Sequence, residues 1–235
     1  MEKGFFADLG RMRYKPAWDL QLKLWQMRAD ERIPNTLIFV EHEHVITRGK
    51  SADDKNLLYS EEELAKRGVD LHSVERGGDF TYHGPGQLVG YPIFHVKKGL
   101  AGIRPLVRNV ETAISLAMSK FGISSMGSMQ MPVTPVTPVT PLLPVGVWVG
   151  NDKLCAIGIA VKKWVSFHGF ALNVSTDLEM FKLIIPCGLT NKVVTSMEKI
   201  LGQKPDFDQV KTSIRTAFGH VFGIKFEAKR MEDFA

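Results

Sequence analysis

The order of the predicted helices and strands restricts the fold of this 235-residue chain more than any single motif does. No strand–helix–strand period repeats along the chain, and no linker-like stretch divides it. This order favours an α/β fold of the α+β type, with one domain over 1–235, a mixed β-sheet and helices on its faces. The composition agrees, because 44% hydrophobic and 23% charged residues are typical of a globular protein and exclude a disordered or fibrous one.

Helices are predicted from the spacing of apolar residues and from capping signals. The first begins near Pro16, and a capping box at 60–63 opens a short second helix. Pro105 opens a long third helix that Gly122 closes, and Asp206 caps the last helix. The stripe of the first helix that is expected to face the core consists of Trp18, Leu22, Trp25 and Ala29.

Strands are predicted from short runs rich in β-branched and aromatic residues. Residues 127–144 break this pattern, because three Val-Thr-Pro repeats at 133–141 remove backbone donors and favour an extended conformation. We interpret this stretch as an exposed insertion loop; a recognition arm for a partner is the alternative. The predicted strands are 36–40, 45–48, 71–74, 88–94, 145–149, 153–161, 166–174 and 224–228.

Several protein classes are excluded by what the sequence lacks. No apolar run approaches the roughly 20 residues of a membrane helix, and the beginning of the chain resembles neither a signal peptide nor an acid-poor transit peptide. We therefore expect a cytoplasmic protein that does not act at a membrane, although a processed mitochondrial chain would look the same. Two cysteines, without CxxC, HExxH or a paired Cys/His spacing, predict neither a disulfide framework nor a metal site.

The net charge of +5 leaves two interpretations open. It is either the average of a mildly basic surface or the mark of an acidic macromolecular partner. Nucleic acid is not expected as that partner, because Lys and Arg are spread along the chain, with lysine pairs at 97–98 and 162–163 as the nearest approach to a cluster.

The densest chemical signal is the glycine-rich segment at 76–90, in which five of fifteen residues are glycine. Average usage of roughly 7% would place about one there. Glycine allows a close approach of the backbone, so such a loop binds ligands through its N–H groups. We predict a functional loop between two strands, with a purely structural loop as the alternative. The segment matches neither GxxxxGK[ST] nor GxGxxG, so no nucleotide cofactor is expected.

Single residues outside the segment have both a structural and a chemical interpretation. Cys187 lies between Pro and Gly in a predicted turn, which exposes its sulfur, whereas a lone cysteine is more often inert. Lys153 begins a predicted strand and shares one face of it with Cys155, so it is either a solvated strand end or an internal, functional charge. Cys155 is expected to be a small core residue. His168 is either a structural histidine or a site residue.

Together these stretches resemble the lipoyl(octanoyl) transferase family, the octanoyl-[acyl carrier protein]:protein N-octanoyltransferases. Weaker matches are Leu-Gly-Arg at 9–11 with Tyr14, Ala-Trp at 17–18, and Glu-His at 41–42 before Gly49. The matches span most of the chain in family order, so the set is more specific than any one of them. The motifs that carry the similarity lie at 76–93, 145–149, 153–158, 168–174 and 186–188.

The resemblance implies a biotin/lipoyl-ligase-like fold and a two-step acyl transfer without a cofactor. Cys187 then corresponds to the nucleophile that takes octanoyl from octanoyl-acyl carrier protein, and Lys153 to the residue that lowers its pKa. The acceptor is a lysine of an apo lipoyl domain, as in 2-oxoacid dehydrogenase E2 subunits and glycine cleavage H protein. The implied substrate-binding residues are Arg76, Gly77, Gly78, Asp79, Phe80, Thr81, Tyr82, His83, Ala156, Ile157, Gly158, His168, Gly169, Phe170 and Ala171.

Two features depart from the family pattern. Cys155 stands where the family commonly has Ala and is a second thiol that could compete with Cys187, and the insertion replaces a short connection. Two rival functions stay open. One is an ATP-dependent lipoate or biotin ligase on the same fold; the other is a binder of lipoyl domains that has lost catalysis. The presence of both Lys153 and Cys187 argues against the second.

Overall fold

The computed structural model describes residues 1–96, 100–130, 144–185 and 194–234, and of residues 100 and 101 it describes the backbone alone. Cys187, the Val-Thr-Pro repeats and the lysine pair at 97–98 lie outside the described residues.

The strands in the described part of the chain form two sheets. The larger one has eight strands in the order β11-β1-β2-β6-β10-β9-β8-β7, and the smaller one has three in the order β4-β3-β5. β1 runs parallel to β2 and β11, and β3 runs parallel to β4, whereas the other paired strands are antiparallel. The predicted mixed sheet is therefore confirmed. The strands are β1 (Glu2–Met12), β2 (Thr36–His42), β3 (Val45–Arg48), β4 (Asp70–Ser73), β5 (Phe80–His83), β6 (Gln87–Ile93), β7 (Met126–Gly127), β8 (Gly146–Val149), β9 (Asp152–Lys162), β10 (Val165–Asn173) and β11 (Ile224–Ala228).

Helices cover both faces of the larger sheet, and α2 packs on the smaller one. The described helices are α1 (Tyr14–Ala29), α2 (Glu61–Lys66), α3 (Leu100–Ser119), α4 (Met197–Leu201) and α5 (Phe207–Phe222). On one face, Leu24 and Trp25 of α1 pack with strand residues in what we call the α1 core. On the other, Ile114 of α3 and Ile214 of α5 belong to the α3/α5 core. Within the described residues, no helix combines the length with the apolar composition that crossing a membrane requires.

The predicted capping signals are confirmed. The Ser60 side chain accepts a hydrogen bond from Glu63 N, and the Glu63 carboxylate accepts one from Ser60 N at 2.8 Å, which completes the capping box of α2. The Asp206 carboxylate accepts from two N–H groups of the first turn of α5, and Gly223 ends this helix at a left-handed φ of 67°.

Helices α1 and α3 begin earlier than predicted. α1 starts at Tyr14, and of its predicted stripe Trp25 alone is fully buried. Gln21 is buried instead, because its side-chain oxygen accepts a hydrogen bond from the backbone of β10. Pro105 lies inside α3 rather than at its start. The buried residues of α1 are Tyr14, Ala17, Gln21, Leu24 and Trp25.

Apart from β7, which is described below, two strands were not predicted. β1 carries exposed charges at Glu2, Lys3 and Asp8, which hide its pattern, and it forms because β2 and β11 pair with its two edges. β5 lies inside the segment predicted as one glycine-rich loop, where it pairs with β3. Tertiary pairing overrides local preference in both cases.

The first residues of the predicted insertion loop are ordered structure. Met126–Gly127 is β7 at the edge of the larger sheet, and Ser128–Gln130 is a turn of 3-10 helix. The buried Glu111 of α3 accepts hydrogen bonds from Ser128 Oγ at 2.6 Å and from Met129 N at 3.1 Å. The loop prediction is therefore wrong for residues 127–130.

Candidate active site

A cavity of about 530 Å³ lies where the glycine-rich segment meets β9 and β10. This volume is typical of small-molecule sites. Three segments that are far apart in sequence line it together, and Lys153 lies on the same wall. The predicted binding residues on the wall are Arg76, Gly77, Gly78, Asp79, Phe80, Thr81, His83, Ala156, Ile157, Gly158, His168, Gly169, Phe170 and Ala171.

Tyr82 is the predicted binding residue that the structure does not place on the cavity wall. Side chains alternate along β5, and Tyr82 packs in a third core with Phe181, at 5.3 Å between ring centroids. Its hydroxyl forms a hydrogen bond of 2.7 Å with His44 Nδ1. The assignment of Tyr82 to substrate contact therefore needs correction, because its ring is fully buried in this core and does not line the cavity.

An irregularity in β9 brings Lys153 to the cavity. Lys153 pairs with Trp148 of β8, but Cys155 pairs with the preceding residue, Val147, so Leu154 has no partner on β8. Such a bulge adds one residue to a strand and reverses the alternation of its side chains. Lys153 therefore lines the cavity, whereas Cys155 packs in the α3/α5 core. The expectation that the two share one face is wrong for this reason.

The environment of Cys155 suppresses its reactivity. The residue is fully buried, and burial raises the pKa of its thiol despite the opposing effect of Lys153. Because the thiolate is the nucleophilic form, this position argues against a competing thiol at Cys155. The Lys153 ammonium, by contrast, is half-buried and lies 5.2 Å from the centre of the Trp148 ring.

The backbone of Lys153 meets the chain that follows Cys187. Val194, the first described residue after residue 185, forms a parallel bridge with Lys153 and lines the cavity. Thr195 N donates to the carbonyl oxygen of Lys153 at 3.0 Å. The described chain from Val194 onward therefore lies beside Lys153.

Arg76 attaches the glycine-rich loop to β3. Its guanidinium is 8% exposed and donates to the carbonyl oxygen of Thr47 at 2.6 Å and to Thr47 Oγ1 at 2.9 Å. A further N–H of the guanidinium donates to the carbonyl oxygen of Gly77 at 3.1 Å. Arg76 therefore both shapes the loop and places a positive charge at the cavity.

The loop also presents backbone N–H groups to the cavity wall. Its carbonyl groups at 76, 78 and 79 accept hydrogen bonds from the N–H groups of 49–51. The N–H groups of Gly77 and Gly78 donate to no acceptor among the described residues. Gly78 has a φ of 87°, which glycine adopts without strain. Two adjacent N–H groups of this kind form a site for an oxygen that carries negative charge.

His83 and His168 are two uncharged polar residues of the cavity wall. Burial, together with the nearby His42, lowers the pKa of His83 to about 3. Burial, together with the Arg76 charge, lowers the pKa of His168 to about 3. Both rings are therefore neutral near pH 7, where they accept or donate single hydrogen bonds.

His168 has an unusual backbone conformation for a residue within a strand. Its φ is 57°, and its backbone N–H donates to Gln21 Oε1. Its ring stacks on Trp18 of α1 at 4.5 Å between centroids, and its buried Nε2 has no hydrogen-bond partner among the described residues. Strained backbone of this kind is concentrated at functional sites.

Five further polar residues line the cavity that sequence reasoning did not assign to the site. They are Tyr14, Ser51, Gln87, Tyr91 and Asn173. Each lies in or next to a stretch that carries the family resemblance, so membership in those motifs was the available signal. No group of His, Cys, Asp and Glu side chains in the described part of the chain is arranged to hold a metal ion.

Known proteins match this chain over most of its length. The sequence profile of the lipoyl protein ligase A/B catalytic domain matches residues 13–219. An octanoyltransferase from Alkaliphilus metalliredigens is 44% identical over 217 residues, which cover 92% of this chain and 94% of the relative. An octanoyltransferase from Dictyoglomus thermophilum is 46% identical over 213 residues, which cover 91% and 84%.

Solved structures show the same fold at low sequence identity. A lipoate-protein ligase A bound with ATP matches with a TM-score of 0.75 at 16% identity, over 99% of this chain and 92% of that one. A biotin protein ligase from Aquifex aeolicus matches with a TM-score of 0.52 at 13% identity, over 95% and 70%. The predicted biotin/lipoyl-ligase-like fold is confirmed.

The mixed sheet thus has the fold that lipoate-protein ligases and biotin protein ligases share. The chain belongs to the lipoyl protein ligase A/B catalytic domain family and, by its relatives, to the octanoyltransferases within it. The resemblance derived from the motifs is confirmed, and the enzyme is an acyltransferase.

Proposed function

We propose that this chain transfers an octanoyl group from octanoyl-acyl carrier protein to a lysine of an apo lipoyl domain, through a thioester on Cys187. Octanoyl transfer in lipoate synthesis follows from the family. The carrier-protein donor, the thioester and the roles of Cys187 and Lys153 are the parts that we propose.

The observation that supports this proposal most is the position of Lys153. A bulge turns its side chain to the cavity, and its backbone pairs with Val194, seven residues after Cys187 in sequence. On the cavity wall the Lys153 side chain is partly removed from water, and such a position suits activation of a nucleophile.

In the first step, the Cys187 thiolate attacks the carbonyl carbon of the donor thioester, and the carrier thiolate leaves. A free cysteine with a pKa of about 8.5 is only a few per cent thiolate at pH 7. We assign the stabilisation of this thiolate to the Lys153 ammonium. One thioester replaces another, so the exchange is close to balanced and needs no ATP.

In the second step, the amine of the acceptor lysine attacks the acyl carbon, and the Cys187 thiolate leaves as the amide forms. A free lysine has a pKa of about 10.4, so a proton must be removed. We assign this task to Lys153, which is neutral at this stage because the departing carrier thiolate takes its proton in the first step. We assign the stabilisation of negative charge on the carbonyl oxygen to the N–H groups of Gly77 and Gly78.

The remainder of the wall suits an alkyl chain. Burial of each CH₂ group contributes about 0.8 kcal/mol, which favours an eight-carbon acyl group in an apolar part of the cavity. Lipoyl domains are the general class of acceptor, and we propose E2 subunits and H protein among them. A reducing, cytoplasmic compartment is part of this proposal, because the Cys187 thiol must stay reduced. The apolar side chains on the wall include Val89, Val107, Val145, Ile157, Ile159 and Phe170.

Intact-mass analysis tests the thioester with two matched cysteine variants. Wild-type enzyme and Cys155→Ala should each gain one octanoyl group from octanoyl-carrier protein and lose it to an apo lipoyl domain. Cys187→Ala should do neither. Peptide mapping that places the octanoyl group on Cys155 would contradict the assignment.

The ATP-dependent ligase is the second candidate, because a structural neighbour holds ATP. It is tested in the same assay by supplying free octanoate and ATP without a carrier protein. Our proposal expects no transfer under these conditions. Transfer that requires ATP and proceeds in Cys187→Ala would favour the ligase.

A further inference from the structure

The side chain of Gln87 determines which nitrogen of His83 carries the proton. Gln87 lies 3.2 Å from the backbone carbonyl oxygen of Tyr82, which can only accept a hydrogen bond, so the atom facing it is the amide nitrogen. The amide oxygen of Gln87 is then the atom 2.7 Å from His83 Nδ1.

A second amide excludes the flipped orientation of Gln87. Asn173 Nδ2 donates to the backbone carbonyl oxygen of Thr195 at 3.0 Å, so Asn173 Oδ1 faces Gln87 and accepts from its Nε2 at 2.9 Å. Both amides are therefore anchored by backbone carbonyl groups, and a flip of either would place oxygen against oxygen.

His83 must then be protonated on Nδ1. The Gln87 oxygen carries no proton, so His83 Nδ1 donates to it. A neutral imidazole that is protonated on Nδ1 keeps a lone pair on Nε2. His83 lines the cavity, and its Nε2 has no hydrogen-bond partner among the described residues.

Three other polar groups of the wall, Lys153, Arg76 and Asp79, are charged and offer no neutral acceptor. Lys153 and Arg76 can only donate. The Asp79 carboxylate accepts from the Asn56 amide and from Phe80 N. The His83 ring therefore offers an acceptor beside two cations, and such an acceptor matches a neutral N–H donor.

Of the two substrates, the acceptor lysine supplies that donor. At the reacting centre the octanoyl thioester presents a carbonyl oxygen, which accepts hydrogen bonds. The attacking amine has N–H bonds and must point its lone pair at the acyl carbon. An acceptor that holds one N–H orients the lone pair.

We propose that His83 Nε2 accepts a hydrogen bond from the amine of the acceptor lysine and positions it for attack on the acyl thioester, with Gln87 and Asn173 holding the tautomer. The inference rests on the proposed function and deepens its second step. The amine lone pair forms the C–N bond, the C–S bond breaks, the departing electron pair goes to Cys187, and the released proton goes to Lys153.

The tautomer is tested on the wild-type enzyme by ¹⁵N NMR of histidine-labelled protein. The His83 resonances are assigned by their loss in His83→Gln. We expect a protonated Nδ1 and an unprotonated Nε2 near pH 7. The opposite tautomer, or a doubly protonated ring, would overturn the proposal without any assay of activity.

The role in the second step is tested by measuring the two half-reactions separately. In His83→Phe, formation of the octanoyl-enzyme should stay within about twofold of wild type, while its discharge to an apo lipoyl domain falls about 10- to 100-fold. His83→Gln should recover part of the discharge rate, because its side-chain oxygen can accept the same hydrogen bond.

His72→Phe is the matched control. Both His83 and His72 stack on the Tyr14 ring, at 6.4 Å and 5.4 Å between centroids, but His72 does not line the cavity. Both of its half-reactions should match wild type. Equal losses of loading and discharge in His83→Phe, or an unchanged discharge rate, would overturn the positioning role. Failure of wild-type enzyme to form the octanoyl-enzyme would instead refute the proposed function itself.

Discussion

The α3/α5 core and the cavity wall receive side chains from the same strand and treat them in opposite ways. Leu154 and Cys155 of β9 are fully buried among apolar side chains in the core. Lys153, the residue before them, lines the cavity beside His83 and His168. The reactivity of a side chain on β9 therefore depends on whether it faces the cavity or packs in the core. A cysteine in the core is an unreactive apolar residue.

The two regions also differ in how they bury polar groups. The cavity region buries amides, imidazoles and a guanidinium, most of them connected by hydrogen bonds, whereas Glu111 and Ser213 are the polar residues buried at the described α3/α5 helices. Satisfied networks of this kind hold amides and rings in fixed orientations, which suits a site that presents defined donors and acceptors. The buried polar residues around the cavity include Gln21, His42, Thr47, Arg76, His83, Gln87, His168 and Asn173.

Replacement of Lys153 tests the cavity side with the largest expected effect. Lys153→Met removes the ammonium, so octanoyl loading should fall by about 100-fold or more. Alkylation of Cys187 by iodoacetamide should then require a higher pH. Lys153→Arg keeps the charge but holds its proton, so it should load and then discharge slowly. An unchanged alkylation profile in Lys153→Met would show that Lys153 does not tune the thiol.

Replacement of the adjacent residue tests the core side. Leu154→Ala leaves a cavity in the α3/α5 core and should lower the free energy of unfolding by about 2 to 5 kcal/mol. The rate of octanoyl loading per folded enzyme should not change. Chemical denaturation and the loading assay measure the two effects. A slower octanoyl loading with an unchanged free energy of unfolding would show that Leu154 acts at the cavity rather than in the core.

The cavity side should also make the enzyme sensitive to acid. His42 and His83 have folded-state pKa values lowered to about 4 and about 3, below the ordinary 6.5, so the unfolded chain binds more protons as the pH falls. The contribution of these histidines to the free energy of unfolding should be fully present above pH 6.5. Below pH 6.5 it should decrease, by up to about 1.4 kcal/mol per pH unit for each such histidine. Chemical denaturation at several pH values measures the free energy of unfolding. Its decrease below pH 6.5 should be shallower in His42→Gln and unchanged in Cys155→Ala.

Surface charge should have a smaller effect that depends on the donor. Lys162 and Lys163 lie at the β9–β10 hairpin, at the end of a strand that lines the cavity. Reversal of both to Glu should lower kcat/KM with octanoyl-carrier protein by several-fold, mainly through association, and less with octanoyl-CoA. Added salt should reduce the difference. Equal losses of kcat/KM with both donors would show that the net positive charge is only an average over the surface and does not guide the carrier protein.

Deletion of residues 133–141 should have the smallest effect. A surface loop adds little to the core, so stability should change by less than about 1 kcal/mol and turnover with small acyl donors should persist. Thermal unfolding and a CoA-donor assay measure this. Global unfolding of the shortened chain would show that the stretch packs on the enzyme.

Much of the site could be predicted from the sequence because glycine, proline and reactive side chains are concentrated in a few motifs. The motifs predict that the glycine-rich segment and the stretches around Lys153 and His168 belong to the site, and in the structure all three line one cavity. Tyr82 was assigned wrongly, because the burial of its ring in a core becomes visible only once β5 is paired. Gln87 and Asn173 were missed, because an amide has no distinctive signal until its partners are known.

The sequence by itself determined the mixed α/β class, the capped helices and the family, since periodicity, capping residues and motif order are local properties. Tertiary structure decided the rest. β1 exists because two strands pair with it, and the bulge opposite Val147 sends Lys153 to the cavity and Cys155 to the core. A one-residue change of register reverses the face of a side chain, and this choice depends on pairing partners that lie far apart in sequence.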